Sequence, residues 1–340
     1  MKAVYFYIGE SRKIISTKLI TLYICFFYCI TLQAQNNLIE IKQFGTNPGN
    51  LSGFIHIPKN HSHSIKRKPL IVVLHGCTQN AETVAKQSGW NKLADYYGFY
   101  VLYPQQKLLN NPNKCFCWYK KNDISKNEGE VLSIKQMIDF VTDTFSIDTT
   151  KIFAYGLSAG AAMSVALLAD YPNLFNAGAI LAGGPFMVVS NPLSGLASMI
   201  SPKNYTSQEL ALTVTKQNPD YKGKYPRMII IHGKNDPVVN IKNSYQLIQQ
   251  WTYLQHTDSI PDKKTESFEK NSDITKYIYN DASNNEVVIF YEVDKLGHAL
   301  MIDPGDTINK GGETGLFAVD KDFFSTYWIA VDFGIIKNVN

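Results

Sequence analysis

The sequence feature that most constrains the fold of this chain is segment 156–160, which reads Gly-Leu-Ser-Ala-Gly. It ends an apolar stretch, 151–156, that is typical of a buried strand, and it opens a run of small residues, 159–170, that is typical of a helix. A serine between two such glycines fits a tight strand-to-helix turn, because side chains at the flanking positions would collide with neighbouring backbone. The pattern predicts that Ser158 is a nucleophile on a strained turn, with a helix N-terminus behind it.

The rest of the chain alternates strand-like and helix-like segments. One of them, 69–75, is a continuous apolar run, as in strands buried on both faces of a sheet. Such alternation predicts an α/β fold with an eight-stranded, mostly parallel sheet and helices on both faces. The predicted strands are 38–44, 53–58, 69–75, 99–104, 151–156, 177–182, 227–232 and 286–293, and the predicted helices are 81–97, 129–145, 159–170, 241–254 and 317–331.

The alternation weakens after the sixth predicted strand. Segment 185–226 mixes serine, asparagine, proline and lysine with short apolar patches. We interpret this segment as an insertion over the sheet or a partial lid. Residues 35–340 as a whole are predicted to form a single catalytic domain.

Two polar residues that follow later strands complete a catalytic pattern with Ser158. Asp236 comes after the strand 227–232, and His298 comes after the last strand, 286–293. Because ligands of parallel sheets bind beyond the carboxyl ends of the strands, the three side chains are expected to meet there. The order serine, aspartate, histidine is that of the α/β-hydrolase fold, and it predicts that fold.

The three residues have distinct expected roles. His298 is expected to take the Ser158 proton as the serine attacks a carbonyl carbon. Asp236 is expected to fix the imidazole tautomer and to stabilise its cation. Asp294 also ends a strand, but it lies only four residues before His298 and is the weaker candidate for the acid. His232, which ends the strand before Asp236, is interpreted as structural.

The oxyanion of a tetrahedral intermediate also needs hydrogen-bond donors. The N–H of Ala159, directly after the nucleophile, is one expected donor. The other is expected from the loop 75–79 after the third strand. The N–H of Cys77 is favoured there, and that of Thr78 is the alternative.

The first 34 residues predict a signal peptide. Basic residues at positions 12, 13 and 18 precede an apolar run, 19–32, and Ala34 offers a small residue for cleavage. The run is shorter than the roughly 20 residues of a membrane span, so an uncleaved anchor is the less favoured alternative. The protein is therefore predicted to be secreted, to the periplasm or beyond the cell, with no stable membrane association after cleavage.

Most of the excess positive charge lies in the same leader. The chain has 33 basic and 29 acidic side chains, of which residues 1–34 hold four and one, so the remainder carries a net charge of +1. No basic stretch is interleaved with aromatic residues. A nucleic-acid partner is therefore not expected.

Three of the five cysteines, Cys77, Cys115 and Cys117, follow the predicted leader. Export favours disulfides, and the two later cysteines are too close in sequence to pair with each other without strain. We expect a bond between Cys77 and either Cys115 or Cys117, with three buried thiols as the alternative. No histidine cluster accompanies them, so a metal site is not expected.

Several motifs together resemble one family of esterases. They are HGCTQ at 75–79, SGWN at 88–91, YPQQ at 103–106, CW at 117–118 and GLSAG at 156–160. This set resembles the secreted polyhydroxybutyrate-depolymerase and feruloyl-esterase family over about residues 45–302. The resemblance implies an α/β-hydrolase fold and hydrolysis of carboxylic esters, either of short hydroxyacyl polymers or of acyl groups on plant polysaccharide.

The sequence departs from the family pattern near the histidine. Members commonly carry tryptophan two residues after it, whereas Leu300 stands there, so an aromatic wall of the acyl site is expected to be missing. Trp90, Trp118 and Trp251 are candidates for stacking on a sugar or an aromatic acyl group. Core packing is the alternative for each of them.

The sequence therefore predicts a serine carboxylic-ester hydrolase that acts on an ester substrate without a cofactor. No glycine-rich phosphate-binding loop is present. A serine peptidase of the same fold is a second interpretation, although no propeller or larger cap fits in this chain. A non-catalytic binding protein with this fold is the third, but all three triad candidates are present.

Overall fold

The apolar segments of the sequence form the centre of a ten-stranded sheet in a computed structural model of the protein, which describes residues 38–337 except 60–65, 188 and 190. The predicted leader lies outside the described residues. The strands are β1 (Ile39–Ile41), β2 (Ser52–His56), β3 (Lys68–Leu74), β4 (Tyr100–Gln105), β5 (Ile147–Leu157), β6 (Ala177–Leu181), β7 (Arg227–Gly233), β8 (Lys263–Thr265), β9 (Ile274–Asn280) and β10 (Glu286–Val293), with a separate pair β11 (Leu300–Ile302) and β12 (Ala318–Asp320).

Helices connect most of the parallel strands. They are α1 (Ala81–Ser88), α2 (Trp90–Tyr97), α3 (Gly129–Thr144), α4 (Ala159–Asp170), α5 (Pro192–Ile200), α6 (Ser207–Thr215), α7 (Lys242–Leu254) and α8 (Ser325–Asp332), with short 3₁₀ segments at Lys121–Asp123 and Phe268–Lys270. Within the described residues no helix is both long enough and apolar enough to cross a bilayer.

The centre of the sheet is parallel and its edges are antiparallel. The strand order is β1-β2-β4-β3-β5-β6-β7-β10-β9-β8, and the run from β4 to β10 pairs in parallel throughout. The prediction of a mostly parallel sheet is confirmed, but the predicted number of eight strands is wrong. The two missed strands, β8 and β9, lie in a mostly polar stretch toward one end of the sheet, where β8 has no buried side chain and the buried residues of β9 do not alternate along the strand.

Strand β3 shows why a continuous apolar run predicts a central strand. Its residues Leu70 and Val72 pack in the core on one face of the sheet, whereas Ile71 and Val73 belong to the core on the other face. Both faces are covered by helices, so alternation between polar and apolar side chains is lost.

Two predicted helices differ from those observed. The predicted helix 81–97 is divided into α1 and α2 at Gly89, whose φ of 70° lies in the left-handed region and ends the first helix. The predicted helix 317–331 begins later, at Ser325, because Ala318–Asp320 pairs with β11 instead.

The parallel centre of the sheet places four chain segments at one edge. Strands β3, β5, β7 and β10 all run in the same direction within the parallel part of the sheet, so the loops that follow them all leave at the carboxyl edge. These loops carry the residues 75–79, Ser158, Asp236 and His298. The topology therefore brings together every predicted catalytic segment.

One buried acid on the central helix has no obvious structural partner. Both carboxylate oxygens of Asp170, the last residue of α4, lack a hydrogen bond within the described part of the chain, and the side chain is fully buried. Burial raises the pKa of Asp170 to about 8, and the nearby Lys126 ammonium only partly opposes this. A negative charge at a helix C-terminus is further disfavoured by the helix dipole.

We expect Asp170→Asn to stabilise the protein in alkaline solution only. The folded protein holds the Asp170 proton more tightly than the unfolded chain does, because the ordinary pKa of this carboxyl group is 3.8. The free energy of unfolding therefore falls as pH rises from about 4 to about 8. Thermal unfolding should show a gain of a few degrees for the variant at pH 9 and no gain at pH 4. The exposed Asp220→Asn is the control, and an equal gain at both pH values would contradict the account.

Candidate active site

Ser158 occupies a strained turn between β5 and α4. Its φ is 56° and its ψ is −118°, a conformation that side-chain-bearing residues rarely adopt. A Cβ atom on Gly156 would lie 2.2 Å from the carbonyl oxygen of Gly160, and a Cβ on Gly160 would lie 2.3 Å from that of Leu74. The two glycines therefore allow the close backbone approach that the turn requires, as the sequence pattern predicted.

Asp236 lies in the turn after β7 with its carboxylate fully buried. Oδ1 accepts hydrogen bonds from the backbone N–H groups of Val238 and Val239, at 2.8 and 2.9 Å. Oδ2 accepts from Nδ1 of His298 at 2.7 Å. The structure thus joins the predicted acid and the predicted base directly.

The charge of Asp236 is stabilised inside the protein. Burial opposes ionisation, but hydrogen bonds from His232, His298 and the Val239 N–H outweigh it and hold the pKa of Asp236 well below its usual range. Asp236 is therefore ionised throughout the pH range in which an imidazole base works. The rival acid, Asp294, lies at the surface in an ion pair with Lys234 at 2.8 Å.

His298 has a fixed ring orientation. Its Nδ1 is bonded to Asp236, and the ring of Phe317 lies edge-on to it with the centroids 6.1 Å apart. An aromatic side chain therefore does stand beside His298, although it comes from outside the 298–300 segment. No hydrogen bond joins His298 to Ser158 among the described contacts; in free enzymes such bonds are often long and shorten when substrate binds.

The two predicted oxyanion donors face the same cavity as Ser158. Cys77 and Ala159 both line it, and neither backbone N–H has a hydrogen-bond partner in the described part of the chain. The N–H of the alternative donor, Thr78, is instead bonded to the carbonyl oxygen of Asn113 at 2.6 Å. The geometry therefore favours Cys77 over Thr78 as the second donor.

A disulfide fixes the loop that carries the Cys77 donor. Cys77 is bonded to Cys115, 38 residues later, whereas Cys117 is a free buried thiol. The N–H of Cys117 donates to a carboxylate oxygen of Glu130 at 2.8 Å, and Glu130 lies on α3. The disulfide and this hydrogen bond together attach the segment 115–118 to both the loop 75–79 and helix α3.

Beside Ser158 lies a small, mostly apolar cavity of about 50 Å³. Much of its wall consists of alanine and glycine, which leave open the space next to the serine. The lining residues are Cys77, Trp118, Ser158, Ala159, Ala162, Ala182, Gly183, Gly184, Pro185, Ser198, Met199, Val239 and Asn243.

Part of the wall of this cavity comes from the segment 185–226. Ser198 and Met199, at the end of α5, contribute to it. Their carbonyl oxygens each accept a hydrogen bond of 3.1 Å from the side-chain amide of Asn243 on α7, and the N–H of Asn240 donates to Met199 at 2.7 Å. The end of α5 is therefore tied to the body of the protein beside the active site.

Only one of the three candidate stacking tryptophans reaches the cavity. Trp118 lines it. Trp90 and Trp251 are fully buried, with Trp90 packed edge-on against Phe99 and Tyr155, so the prediction that Trp90 stacks on substrate is wrong. The sequence signal was misleading because a core tryptophan and a binding tryptophan look the same without knowledge of exposure.

Two groups of side chains in the described residues have a spacing compatible with a metal ion, and neither includes a triad residue. Cys117, Asp123 and Glu130 form one group, but burial raises the pKa of the Cys117 thiol to about 12, which disfavours the thiolate that binds metals. In the other group, Asp303, Asp320 and Asp322, the first carboxylate is already paired with a lysine at 2.9 Å.

The site also contains a residue that the sequence analysis placed outside it. The Nε2 atom of His232 lies 3.4 Å from Oδ2 of Asp236, and both side chains are fully buried. The available sequence signal was the spacing of four residues between His232 and Asp236 across a strand end. That spacing has no defined geometry in a turn, so only the structure shows the contact.

A parallel sheet with a serine elbow, an aspartate–histidine pair and two free N–H groups at its carboxyl edge defines an α/β-hydrolase. Comparison with known proteins places the chain more narrowly. It belongs to the family described as esterase PHB depolymerase, whose model matches residues 51–265.

Two relatives and one solved structure illustrate the similarity. Poly(3-hydroxyalkanoate) depolymerase C of Paucimonas lemoignei is 36% identical over 88% of this chain and 70% of its own length. Feruloyl esterase B of Talaromyces stipitatus is 30% identical over 82% of this chain and 76% of its own. The acetyl xylan esterase of Aspergillus awamori has the same fold, with a TM-score of 0.69 at 24% identity over 77% of this chain and 94% of that one. The chain is a carboxylic-ester hydrolase with the α/β-hydrolase fold.

Asp236→Asn is expected to lower kcat for ester hydrolysis by about 10⁴-fold without loss of fold. The amide would still accept from Val238 and Val239, but its NH₂ group would donate to Nδ1 of His298 and leave the proton on the wrong ring nitrogen. Steady-state kinetics and circular dichroism check this. Asp294→Asn is the matched control, and a comparable loss in that variant would contradict the assignment of the acid.

Proposed function

We propose that this protein is an exported serine esterase that hydrolyses esters of short acyl groups, such as acetyl or hydroxybutyryl groups carried by a larger alcohol. The observation that carries the proposal is the position of Ser158 beside a cavity of about 50 Å³, next to two free N–H groups and close in the fold to a buried aspartate–histidine pair.

The mechanism follows from these positions. His298 takes the Ser158 proton through Nε2 while the serine oxygen attacks the ester carbon. The N–H groups of Cys77 and Ala159 bind the oxyanion, and Asp236 stabilises the imidazolium. His298 then returns the proton to the leaving alcohol, and a water molecule repeats the sequence on the acyl-enzyme to release the acid.

The size of the cavity supports a short acyl group. An apolar cavity of ~150 Å³ is known to hold a benzene ring, and this is about three times the volume found beside Ser158. Acetyl and hydroxybutyryl chains have at most four non-hydrogen atoms beyond the carbonyl group, whereas a feruloyl group carries a substituted ring. The alcohol side of the ester is left to the open side of the site, which is compatible with a polymer.

The segment 185–226 has a defined part in this proposal. Its hydrogen bonds to Asn243 hold Met199 at the wall of the acyl cavity. Further along α7, the amide of Gln250 donates to the carbonyl oxygen of Leu210 at 2.9 Å. We infer that the segment is a fixed wall that limits acyl length, since buried amides attach it at two places.

Export is supported by the cysteines as well as by the leader pattern. The Cys77–Cys115 disulfide requires an oxidising compartment, and such bonds are rare in proteins of the reducing cytosol. In this proposal the N-terminal leader directs export and is then cleaved, and the folded enzyme works in the periplasm or outside the cell.

The two other interpretations have less support. The relatives that cover most of the chain are named as esterases and depolymerases, which favours ester over peptide hydrolysis. A binding protein of this fold would not need a buried aspartate–histidine pair, and removing such a charge from water is costly.

Ser158→Ala is expected to abolish hydrolysis of p-nitrophenyl acetate and p-nitrophenyl butyrate while leaving the fold intact, because the variant lacks the attacking oxygen. Release of p-nitrophenolate by purified parent and variant measures this. Ser164→Ala is the control, since Ser164 is a buried serine on the same helix whose hydroxyl is bonded within the helix. Hydrolysis that survives Ser158→Ala would rule out the proposed nucleophile.

Met199→Ala is expected to shift the preference toward longer acyl chains, because it removes side-chain volume at the cavity wall. The ratio of kcat/KM for p-nitrophenyl hexanoate to that for the acetate should rise by about tenfold. This is the effect expected if roughly two more methylene groups of the hexanoyl chain are buried in the cavity. The control is Leu196→Ala, which lies on the same helix but is exposed and outside the cavity. An unchanged ratio in Met199→Ala would contradict the assigned wall.

A further inference from the structure

We propose that His232 is a positioning residue for the esterase reaction, which holds the carboxylate of Asp236 in the orientation that His298 requires. This inference rests on the proposed function, because it assigns His232 a role through Asp236. Nothing in the sequence motifs of the family region marks His232 for such a role, and the case for it comes from its contacts.

Both ring nitrogens of His232 are engaged in the interior of the protein. Nε2 lies 2.8 Å from the carbonyl oxygen of Val239 and 3.4 Å from Oδ2 of Asp236. A carbonyl and a carboxylate can only accept, so Nε2 carries the proton. Nδ1 lies 2.5 Å from the hydroxyl of Ser244 on α7, which donates to it and keeps this tautomer.

His232 restrains Asp236 by two routes. The direct route is the 3.4 Å contact between Nε2 of His232 and Oδ2 of Asp236, the same oxygen that binds His298. The indirect route passes through Val239, whose carbonyl oxygen accepts from His232 and whose N–H donates to Oδ1 of Asp236. Both ends of the turn from Asp236 to Val239 thus contact the ring of His232.

This arrangement is more than the packing of a core histidine. An aspartate can rotate about its side-chain bonds unless its oxygens are fixed. If the carboxylate of Asp236 were displaced, it would no longer fix the tautomer and the ring orientation of His298. Without the His232 ring, Oδ2 would keep only the bond from His298, and the carbonyl of Val239 would be buried without this partner. The expected consequence is a lower rate of the chemical step in a protein that still binds substrate.

The test compares four variants of the full chain with p-nitrophenyl acetate: His232→Leu, His232→Gln, Ser244→Ala and Thr252→Val. Active sites are counted by covalent titration with diethyl p-nitrophenyl phosphate, so that kcat refers to folded enzyme. His232→Leu should lower kcat by about tenfold with KM nearly unchanged. His232→Gln, which keeps an N–H able to reach Val239, should recover most of this loss.

The milder variants separate positioning from structure. Ser244→Ala frees Nδ1 and should lower kcat by a smaller factor than His232→Leu. Thr252→Val is the matched control, because Thr252 is also a buried hydroxyl on α7 but is bonded within the helix to Ile248. Its kcat should equal that of the parent.

The outcomes distinguish this inference from the proposed function. If Ser158→Ala, run alongside, is as active as the parent, the proposed function fails. If the parent is active and Ser158→Ala is not, the proposed function stands and the role of His232 is tested separately. An unchanged kcat in His232→Leu would overturn that role. So would equal losses of kcat in His232→Leu and His232→Gln that parallel their losses of thermal stability. A kcat loss in His232→Leu that His232→Gln restores would support it.

Discussion

The architecture of the site depends on the close approach of three backbone segments around Ser158. The end of β3, the serine turn and the start of α4 lie so near one another that a single methyl group at Gly156 or Gly160 would overlap a carbonyl oxygen. Ser158 has an unusual backbone conformation at this close approach, and both Ala159 and Cys77 line the cavity beside it. The strain is stored locally and is compensated by the apolar core on both faces of the sheet.

The second constraint is the buried negative charge of Asp236. A carboxylate removed from water is costly, and the turn after β7 offsets the cost with two backbone N–H donors and two histidines. These donors also leave the carboxylate little freedom to rotate. The contacts that stabilise the Asp236 charge therefore also orient the ring of His298. The stability of the turn and the fixed position of that ring have the same origin.

Much of this could be predicted from sequence because it depends on local patterns. The elbow glycines, the apolar central strands and the polar residues directly after them are all encoded in short segments, and parallel topology then brings their ends together. The pairing of Cys77 with Cys115 instead of Cys117 could not be decided, since the two candidates differ by only two positions. Strands β8 and β9 were missed because they lie in a mostly polar stretch, in which β8 has no buried side chain and the buried residues of β9 do not alternate along the strand.

The remaining errors concern burial, which one sequence does not reveal. Trp90 lies in the core and not at the cavity. The contact of the buried His232 with the carboxylate of Asp236 was likewise not predicted. The contribution of the segment 185–226 to the wall of the cavity could not be predicted for a related reason. Its position is set by amide side chains of α7 that are far away in the sequence, and neither hydrophobic periodicity nor turn residues encode such contacts.

The central claim is that Ser158 forms a covalent acyl-enzyme. The most direct measurement is intact-protein and peptide mass spectrometry after reaction with diethyl p-nitrophenyl phosphate, with and without an excess of a short-chain ester. The account predicts a single diethylphosphoryl adduct on the peptide that contains Ser158, formed more slowly when the ester is present. An adduct on another residue, or an enzyme that hydrolyses esters at an undiminished rate after Ser158 is fully modified, would contradict it.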